Sequence, residues 1–289
     1  MQGYRKYLLE YEQYMLLKNY SKATLSAYSC ALRQFFNWHY KQKVGFVFHP
    51  THARSYLVLR YKQGSKWQTV NGDYSALLIF YRSVLKQEWD VEHIPRPRKE
   101  RTLPKVLSQA TVKKLIEHGN CFKHQVYMSL LYATGLRLSE SLNLQVKHID
   151  GQRKKIRVER GKGAKDRYVD LPEKTLDLLR QYYLSYRPVS FLFYGNVINQ
   201  PWAARSAQHA LKQAAGKAKI TQNVSPHVLR HCYATHHLES GTNLIYLKQQ
   251  MGHANLKTTA RYIQLCSHYQ LQVQHPVQNM DIQYQPNRR

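Results

Sequence analysis

A histidine and an arginine in the last quarter of the chain have the types and the spacing that suit a phosphate group. His227 and Arg230 are three residues apart in HVLRH, so they share one face of a helix. Ser225 and Pro226 form a typical helix start, which places both side chains in the first turns. The free N–H groups and the dipole at that end favour an anion. Because the arginine fork can bond two phosphate oxygens at once, the segment predicts a phosphate clamp.

Other residues could complete a site that cleaves a phosphodiester without a metal. Such a reaction needs a nucleophile, cations on the non-bridging oxygens and an acid for the leaving oxygen. Arg137 in YATGLRLSE is a candidate cation, and Lys162 in GKGAK is a candidate mobile acid. The spacing of a P-loop is absent around Lys162. Composition does not single out Tyr262 or His253, because the chain has 23 tyrosines and 15 histidines.

The charge of the chain indicates a polyanionic partner. Its 289 residues carry a formal net charge of +27. Positive charges repel one another in a compact chain, so this excess favours DNA, RNA or an anionic membrane as partner.

Two further classes of protein are disfavoured by the sequence. No apolar run approaches the ~18 residues that span a bilayer, and the N-terminus lacks the apolar core of a signal peptide. The four cysteines form no CxxC pair, which argues against a disulfide scaffold or zinc ribbon and fits a reducing cytoplasm.

Hydrophobic spacing divides the chain into two domains joined by a linker. Residues 1–93 predict four short helices: Ser21 is a candidate N-cap for the second, and Pro50 opens the third. Residues 94–102 are rich in proline and basic residues, so they predict an extended linker that lies against phosphates, or else an ordinary solvated loop.

The second domain, at 103–272, is predicted to be helical with one small β-element. Ser108 and Asn255 are candidate N-caps, and Gly135 and Gly252 are candidate helix ends. Residues 154–159 and 166–171 alternate apolar and polar around GKGAK, which predicts an antiparallel hairpin with a basic tip. The expected fold is therefore mainly α with a small antiparallel β-hairpin or sheet. The glutamine-rich residues 273–289 are predicted to form a C-terminal tail.

Five segments in order resemble the tyrosine recombinases of the lambda-integrase type, and most of all their short Xer-like members. The segments are LPKVLSQ, TGLRLSE, GKGAKDRYVDLP, HVLRHCYATHHLESG and MGHANLKTTARYIQ. The resemblance is strong over 103–270, whereas residues 1–93 resemble the family only in kind. It implies an N-terminal four-helix core-binding domain followed by a tyrosine-recombinase catalytic domain.

The resemblance also implies roles for individual residues. Arg137 and Arg230 would hold the scissile phosphate, His253 would donate a hydrogen bond to it, and His227 would bind it and shuttle a proton. Tyr262 would be the nucleophile and form a 3′-phosphotyrosyl link.

The same resemblance implies supporting groups and partners. Lys162 would protonate the 5′-hydroxyl leaving group, and Glu140 would orient a neighbouring residue. It implies no cofactor, since the phosphotyrosyl link stores the bond energy without ATP or metal. The expected partner is double-stranded DNA, bound by a homo-tetramer in the synaptic complex, with accessory directionality proteins and no membrane. We expect a role in integration, excision or inversion of a mobile element. The expected location is the bacterial cytoplasm, on the nucleoid.

Four alternative functions compete with this hypothesis. The first is a DNA-binding protein that no longer cuts. The second is a metal-dependent nuclease in which His227 and His231 share a zinc ion, although HVLRH lacks the carboxylate of HExxH. The third is a type IB topoisomerase, which shares the chemistry but reseals the same strand. The fourth is an RNA-binding or ribosomal protein, which charge alone suggests and which leaves the five ordered segments unexplained.

Overall fold

The protein divides into two compact units, residues 1–102 and residues 103–289. The structure, a computed structural model, describes residues 2–89, 92–98, 105–159, 166–195, 197 and 199–266. Over these residues the chain is mainly helical with one small antiparallel sheet, which confirms the predicted fold class. None of the helices in the described part of the chain is long and apolar enough to cross a membrane.

The first unit is a helical bundle around an aromatic core. Its helices are α1 (Gln2–Leu17), α2 (Lys22–Lys41), α3 (Pro50–Lys62) and α4 (Trp67–Ile79), and α4 runs on into a π-helical turn at Phe80–Val84. Ser21 is the N-cap of α2, as predicted, because its hydroxyl accepts the Thr24 N–H at 3.1 Å. Its buried rings include those of Tyr11, Phe35, Phe48, Phe80, Tyr81 and Trp89.

The first residues of the predicted linker pack against this unit. Ile94 is buried in its core, and Arg96 donates to Ser75 Oγ at 2.7 Å and to Asn71 Oδ1 at 2.9 Å on α4. The Arg96 guanidinium also lies over the Tyr74 ring. Ile94 and Arg96 are therefore tied to the bundle, while the predicted linker residues 99–102 lie outside the described residues.

The second unit is built from eight further helices and a three-stranded sheet within the described residues. The helices are α5 (Gln109–Glu117), α6 (Phe122–Thr134), α7 (Leu138–Leu142), α8 (Glu173–Tyr186), α9 (Ala204–Lys217), α10 (Pro226–Glu239), α11 (Leu244–Met251) and α12 (Leu256–Ala260). The predicted caps Ser108, Ser225 and Asn255 each accept a backbone N–H in the first turn of α5, α10 and α12. Sequence analysis therefore located the starts of these helices correctly.

The sheet contains the predicted hairpin and one strand that was not predicted. Its strands are β1 (Ile149–Asp150), β2 (Lys155–Val158) and β3 (Arg167–Asp170), in the order β1-β2-β3 and antiparallel throughout. The tip of the hairpin, residues 160–165 with Lys162, lies outside the described residues. Strand β1 is only two residues long, which is too short for an alternating pattern to reveal it.

Two glycines end helices whose last carbonyls become part of the site. Gly135 ends α6 with φ +59°, and Gly252 ends α11 with φ +61°, in the left-handed region that favours glycine. A Cβ on Gly135 would also meet the Tyr233 ring at 2.4 Å. Both helices therefore stop where an α10 side chain can reach their ends.

Candidate active site

Arg230 is a fully enclosed cation that joins three helices. It extends from α10 and is only 2% exposed. Its Nη1 donates to the carbonyl of Gly135 at 2.5 Å, and its Nη2 donates to the carbonyl of Met251 at 2.6 Å. The last carbonyls of a helix have no partner within that helix, and they carry the negative end of its dipole. Burial and the nearby charge of Arg137 lower the pKa of Arg230 to about 10, so it stays charged at neutral pH.

Arg137 is held by an acid and by the end of another helix. It is the N-cap of α7, and its backbone N–H donates to Oε2 of Glu140 at 2.9 Å. Its Nη1 donates to Oε1 of the same carboxylate at 2.7 Å, and its Nη2 donates to the carbonyl of Gly252 at 3.0 Å. The side chain remains 25% exposed, so it can still reach a ligand from solvent.

Glu140 lies between two arginines. Arg167 on β3 forms a two-pronged ion pair with it, Nη1 to Oε1 at 2.9 Å and Nη2 to Oε2 at 2.8 Å, opposite the bonds from Arg137. Burial by itself raises the pKa of Glu140, but the hydrogen bonds and charges of Arg167 and Arg137 outweigh it and lower the pKa to about 2. The carboxylate therefore fixes the orientation of the Arg137 guanidinium.

Arg167 was not among the predicted site residues, although the sequence carries a signal for it. Arg167 and Val169 are two residues apart on β3, so they share a face, and Val169 is buried. An arginine on the buried face of a strand needs a partner, because burying an unpaired charge is costly. The Nε of Arg167 also donates to the carbonyl of Gln250 at 3.1 Å, and a Cβ on Gly252 would meet its guanidinium at 2.9 Å. The lack of a side chain at Gly252 thus allows α11 to end against Arg167.

His253 is oriented by bonds to both ring nitrogens. Its Nε2 lies 3.0 Å from Nη2 of Arg230, and its Nδ1 lies 2.9 Å from Oγ1 of Thr259. An arginine can only donate, so Nε2 must accept and Nδ1 must carry the proton that it gives to Thr259. These two contacts fix the imidazole as one neutral tautomer.

Tyr262 brings its hydroxyl into the same cluster. It directly follows the last residues of α12 and is only 5% exposed. Its hydroxyl lies 3.1 Å from Nδ1 of His231, and its ring is within 10° of parallel to that of His253. Burial raises the pKa of Tyr262, and the charges of Arg230, Arg261 and Arg137 offset part of that rise.

Two histidines of α10 lie next to each other at the edge of the cluster. His227 is exposed, and its ring meets the half-buried ring of His231 edge-on, with centroids 4.2 Å apart. Desolvation, then Arg230 and Arg137, lower the pKa of His227. Burial, then His227 and two arginines, lower the pKa of His231 to about 4. From the sequence, His231 was a candidate only as a zinc ligand, but its Nδ1 faces Tyr262.

The described residues therefore bring together Arg137, Glu140, Arg230, His253 and Tyr262, with His227 at the edge. A cleft of about 460 Å³ borders Arg137, His227 and Arg230. No group of three or more His, Cys, Asp or Glu side chains within the described part of the chain is arranged to hold a metal ion. Two fixed guanidinium groups beside an open cleft can hold an oxyanion, and a tyrosine hydroxyl is within the same group of side chains.

Comparisons with known proteins agree with this arrangement. The family model described as the phage integrase family matches residues 105–268, and the model for the phage integrase N-terminal SAM-like domain matches residues 8–91. The chain is 36% identical over 194 residues to a putative integrase/recombinase, y4eF, of Sinorhizobium fredii, covering 67% of this chain and 77% of that protein. It is 32% identical over 260 residues to tyrosine recombinase XerC of Staphylococcus haemolyticus, covering 85% and 87%.

A solved structure has the same fold at low identity. The integrase of transposon Tn1549, in complex with a circular intermediate DNA, superposes with a TM-score of 0.68 at 17% identity, covering 91% of this chain and 95% of that one. The fold and the relatives define a tyrosine-type site-specific recombinase. More narrowly, the chain belongs to the phage integrase family, because that family's model matches more than half of it.

Proposed function

We propose that the protein cuts and rejoins double-stranded DNA at a specific site through Tyr262. The Tyr262 oxygen attacks the scissile phosphorus, the Oη–P bond forms, and the bond from phosphorus to the 5′-oxygen breaks. The products are a 3′-phosphotyrosyl link and a free 5′-hydroxyl. Attack by a 5′-hydroxyl of another strand then reverses the step and exchanges strands.

One observation carries this proposal: a tyrosine hydroxyl is enclosed beside two arginines that border an open cleft. Tyr262 is 5% exposed; burial raises the pKa of its hydroxyl, and the charges of Arg230 and Arg137 offset part of that rise. A buried tyrosine with an ordinary structural role does not require two cations near its oxygen. Cations at that point stabilise the charge that develops on a phosphate oxygen during attack.

The geometry supports a division of roles among the other residues. Arg137 and Arg230 hold the non-bridging oxygens, because their guanidinium groups are fixed by Glu140 and by helix-end carbonyls. His253 supports Arg230, and its ring lies parallel to that of Tyr262 near the phosphate position. His227 lies at the edge of the cleft, where it can bind a phosphate oxygen and exchange a proton.

Lys162 is proposed as the acid that protonates the 5′-oxygen. This role rests on the GKGAK segment, since the residue lies outside the described residues. Strands β2 and β3 lead to and from it, and Arg167 on β3 contacts Glu140 within the site. Strand β3, which follows the tip, therefore begins next to the cluster. Glu140 orients Arg137, and no cofactor enters the proposed reaction.

Double-stranded DNA is the proposed partner. The charge of +27 supports a polyanion, and the Tn1549 integrase with the same fold is in complex with DNA. We further propose a homo-tetramer on two sites, with accessory proteins that set direction, acting on a mobile element by integration, excision or inversion. The putative integrase/recombinase relative favours this role, and chromosome-dimer resolution is the competing role.

Covalent capture tests the proposed chemistry and finds the target in one experiment. Wild type and Tyr262→Phe are expressed in cells that carry the source genome. The cells are denatured in SDS, the protein is pulled down, and any attached DNA is sequenced. We expect discrete sites from the wild type and none from Tyr262→Phe, because only a covalent link survives SDS.

Tyr132→Phe is the matched control. Tyr132 also pairs with a histidine of α10, since its hydroxyl lies 2.8 Å from Nδ1 of His236. We expect this variant to retain the same sites as the wild type. If neither the wild type nor Tyr262→Phe retains DNA after SDS, while crosslinking in native cells shows that both bind DNA, a DNA-binding protein that does not cut is favoured. Relaxation of plasmids that lack the captured site would favour a topoisomerase.

A further inference from the structure

The residue that faces the Tyr262 hydroxyl is a histidine that the proposed phosphate contacts do not use. Nδ1 of His231 lies 3.1 Å from Oη of Tyr262, and the two ring centroids are 5.4 Å apart. His231 is half-buried on α10, one residue after Arg230. A phenol that attacks phosphorus must lose its proton, and a general base must lie within about 2.6–3.2 Å of that proton's oxygen, directly or through one water. His231 meets this distance directly.

The neighbouring histidine is less suited to take the proton. Nε2 of His253 already accepts an N–H from Arg230, and Nδ1 carries the proton that it shares with Thr259. To accept a further proton, His253 would have to give up its bond with Arg230. His227 lies at the exposed edge, with its ring against His231. It is better placed to relay a proton between His231 and solvent than to receive it from Tyr262.

We infer that Nδ1 of His231 accepts the Tyr262 proton during attack and returns it when the strands are rejoined. This inference rests on the proposed function of Tyr262. As the Oη–P bond forms, the phenolic proton moves to Nδ1, the bond from phosphorus to the 5′-oxygen breaks, and the Lys162 ammonium gives a proton to that oxygen. Rejoining moves both protons back, so protons and charge balance over a full cycle.

The electrostatic surroundings link this base to the substrate. In the free protein, burial and the charges of His227, Arg230 and Arg261 lower the pKa of His231 to about 4, so its imidazole is neutral and can accept. A phosphate bound by Arg137 and Arg230 adds a negative charge that offsets the guanidinium charges. The pKa of His231 then rises, because a nearby opposite charge favours the protonated form. His231 therefore becomes a stronger base when the cleft is occupied.

His231→Asn separates proton transfer from simple positioning. An asparagine Oδ1 can accept a hydrogen bond near the position of Nδ1, but it cannot take up a proton. The probe is a duplex of the site recovered by covalent capture, and the readout is the rate at which the SDS-stable adduct forms. We expect His231→Asn to slow the adduct by about 100-fold, within the range measured for lost acid–base catalysis, with DNA affinity unchanged.

The matched control is His237→Asn. His237 is another half-buried histidine of α10, with Nδ1 3.1 Å from Oγ1 of Thr242. We expect its adduct rate to stay within about twofold of the wild type, as for a change remote from the reacting atoms.

Replacement of Tyr262 by 3,5-difluorotyrosine gives a readout that a structural role does not affect. Fluorine makes the phenol more acidic, so less help is needed to remove its proton. We expect the His231→Asn protein with difluorotyrosine at position 262 to form the adduct at least about tenfold faster than His231→Asn with the natural tyrosine. It also shows that the variant is folded, since a misfolded protein is not rescued by a more acidic phenol.

The outcomes distinguish this inference from the proposed function. An adduct from the wild type together with an unchanged rate in His231→Asn overturns the inference alone. A slow His231→Asn that difluorotyrosine fails to rescue also overturns it, because His231 would then act only on structure. Absence of any adduct from the wild type on the captured site overturns the proposed function and the inference together.

Discussion

Two tyrosine–histidine pairs lie on different sides of α10, and only one of them is surrounded by cations. Tyr262 faces His231, and Tyr132 faces His236, with hydroxyl-to-Nδ1 distances of 3.1 and 2.8 Å. His231 and His236 are five residues apart, which is about 140° around a helix. The chemical groups and distances of the two pairs are nearly the same, so a difference in reactivity must come from their surroundings.

The surroundings differ in charge. Arg230, Arg261 and Arg137 lower the pKa of Tyr262 against the effect of its burial. At Tyr132, burial raises the pKa, and the nearby acidic groups Cys232 and Glu239 raise it further. Burial raises the pKa of both phenols, but only at Tyr262 do arginines offset part of that rise, and there they can also hold an anion. The contrast indicates that a hydrogen bond to a histidine is not sufficient, and that the proposed reactivity of Tyr262 also requires the arginines.

Replacing the central arginine has the largest expected effect on this contrast. Arg230→Lys keeps the charge but loses the fork that bonds the carbonyls of Gly135 and Met251. We expect adduct formation to fall by about 10²–10³-fold, as for loss of one oxyanion-binding group. Unfolding in urea should show a loss of about 1–3 kcal/mol, because a buried carbonyl loses its donor.

Arg205→Lys, on the exposed start of α9, is the control. It should change neither the rate of adduct formation nor the free energy of unfolding appreciably. An adduct rate in Arg230→Lys within tenfold of the wild type would contradict the view that the arginines create the reactivity of Tyr262.

The charge network behind these arginines predicts a pH dependence of stability. The pKa of Glu140 is about 2 in the folded protein, against an ordinary value of 4.5. Because the folded pKa is depressed, the stabilisation is complete above pH 4.5 and is lost as the pH falls through 2. The shift corresponds to about 3 kcal/mol of unfolding free energy. We expect Glu140→Gln to lack this acid-sensitive part, measured by urea unfolding between pH 6 and pH 2.

The control belongs to the other tyrosine–histidine pair. Glu239 is exposed near His236, so Glu239→Gln should leave the pH profile of unfolding close to that of the wild type. Equal profiles for wild type and Glu140→Gln would show that the ion pairs with Arg137 and Arg167 contribute nothing net to folding.

Local signals in the sequence predicted the helices that carry the site. Ser108, Ser225 and Asn255 cap helices, and Gly135 and Gly252 end them, because these residues act through bonds within one turn. Residue types and spacing selected His227, Arg230 and Arg137 as candidates, and the family resemblance was needed to select His253 and Tyr262. Their placement as a cluster depends on the tertiary fold.

Long-range partners could not be predicted in the same way. Arg167 and Glu140 are 27 residues apart, and His231 and Tyr262 are 31 residues apart. Nothing in the local pattern of either residue indicates which distant group it meets. The π-helical turn after α4 and the two-residue strand β1 were missed for a related reason, since packing rather than periodicity produces them.

A smaller effect is expected from the hydroxyl that orients His253. Thr259 is fully buried, and its Oγ1 lies 2.9 Å from Nδ1 of His253. Thr259→Val keeps the shape but removes the acceptor, so Nδ1–H is left without its partner and the ring can tilt away from Arg230. We expect about 1–2 kcal/mol lower stability and a modest, roughly tenfold, loss of adduct rate.

Thr259→Ser restores the hydroxyl without the methyl group and should recover most of the rate. A Thr259→Val protein as active as the wild type would mean that the contact with Arg230 alone orients His253.

The smallest effect is expected where the two pairs are compared by stability rather than by activity. Tyr132→Phe and Tyr262→Phe each remove one hydroxyl that faces an α10 histidine. A net hydrogen bond contributes about 0.5–1.5 kcal/mol, so we expect both variants to unfold at slightly lower urea concentrations, by similar amounts. Their adduct formation should nevertheless differ completely, with Tyr132→Phe near the wild type and Tyr262→Phe inactive. A much larger loss of stability in Tyr262→Phe would mean that its hydroxyl is mainly structural. Equal small losses, together with the difference in adduct formation, would mean that the Tyr262 hydroxyl contributes little to folding and serves the reaction.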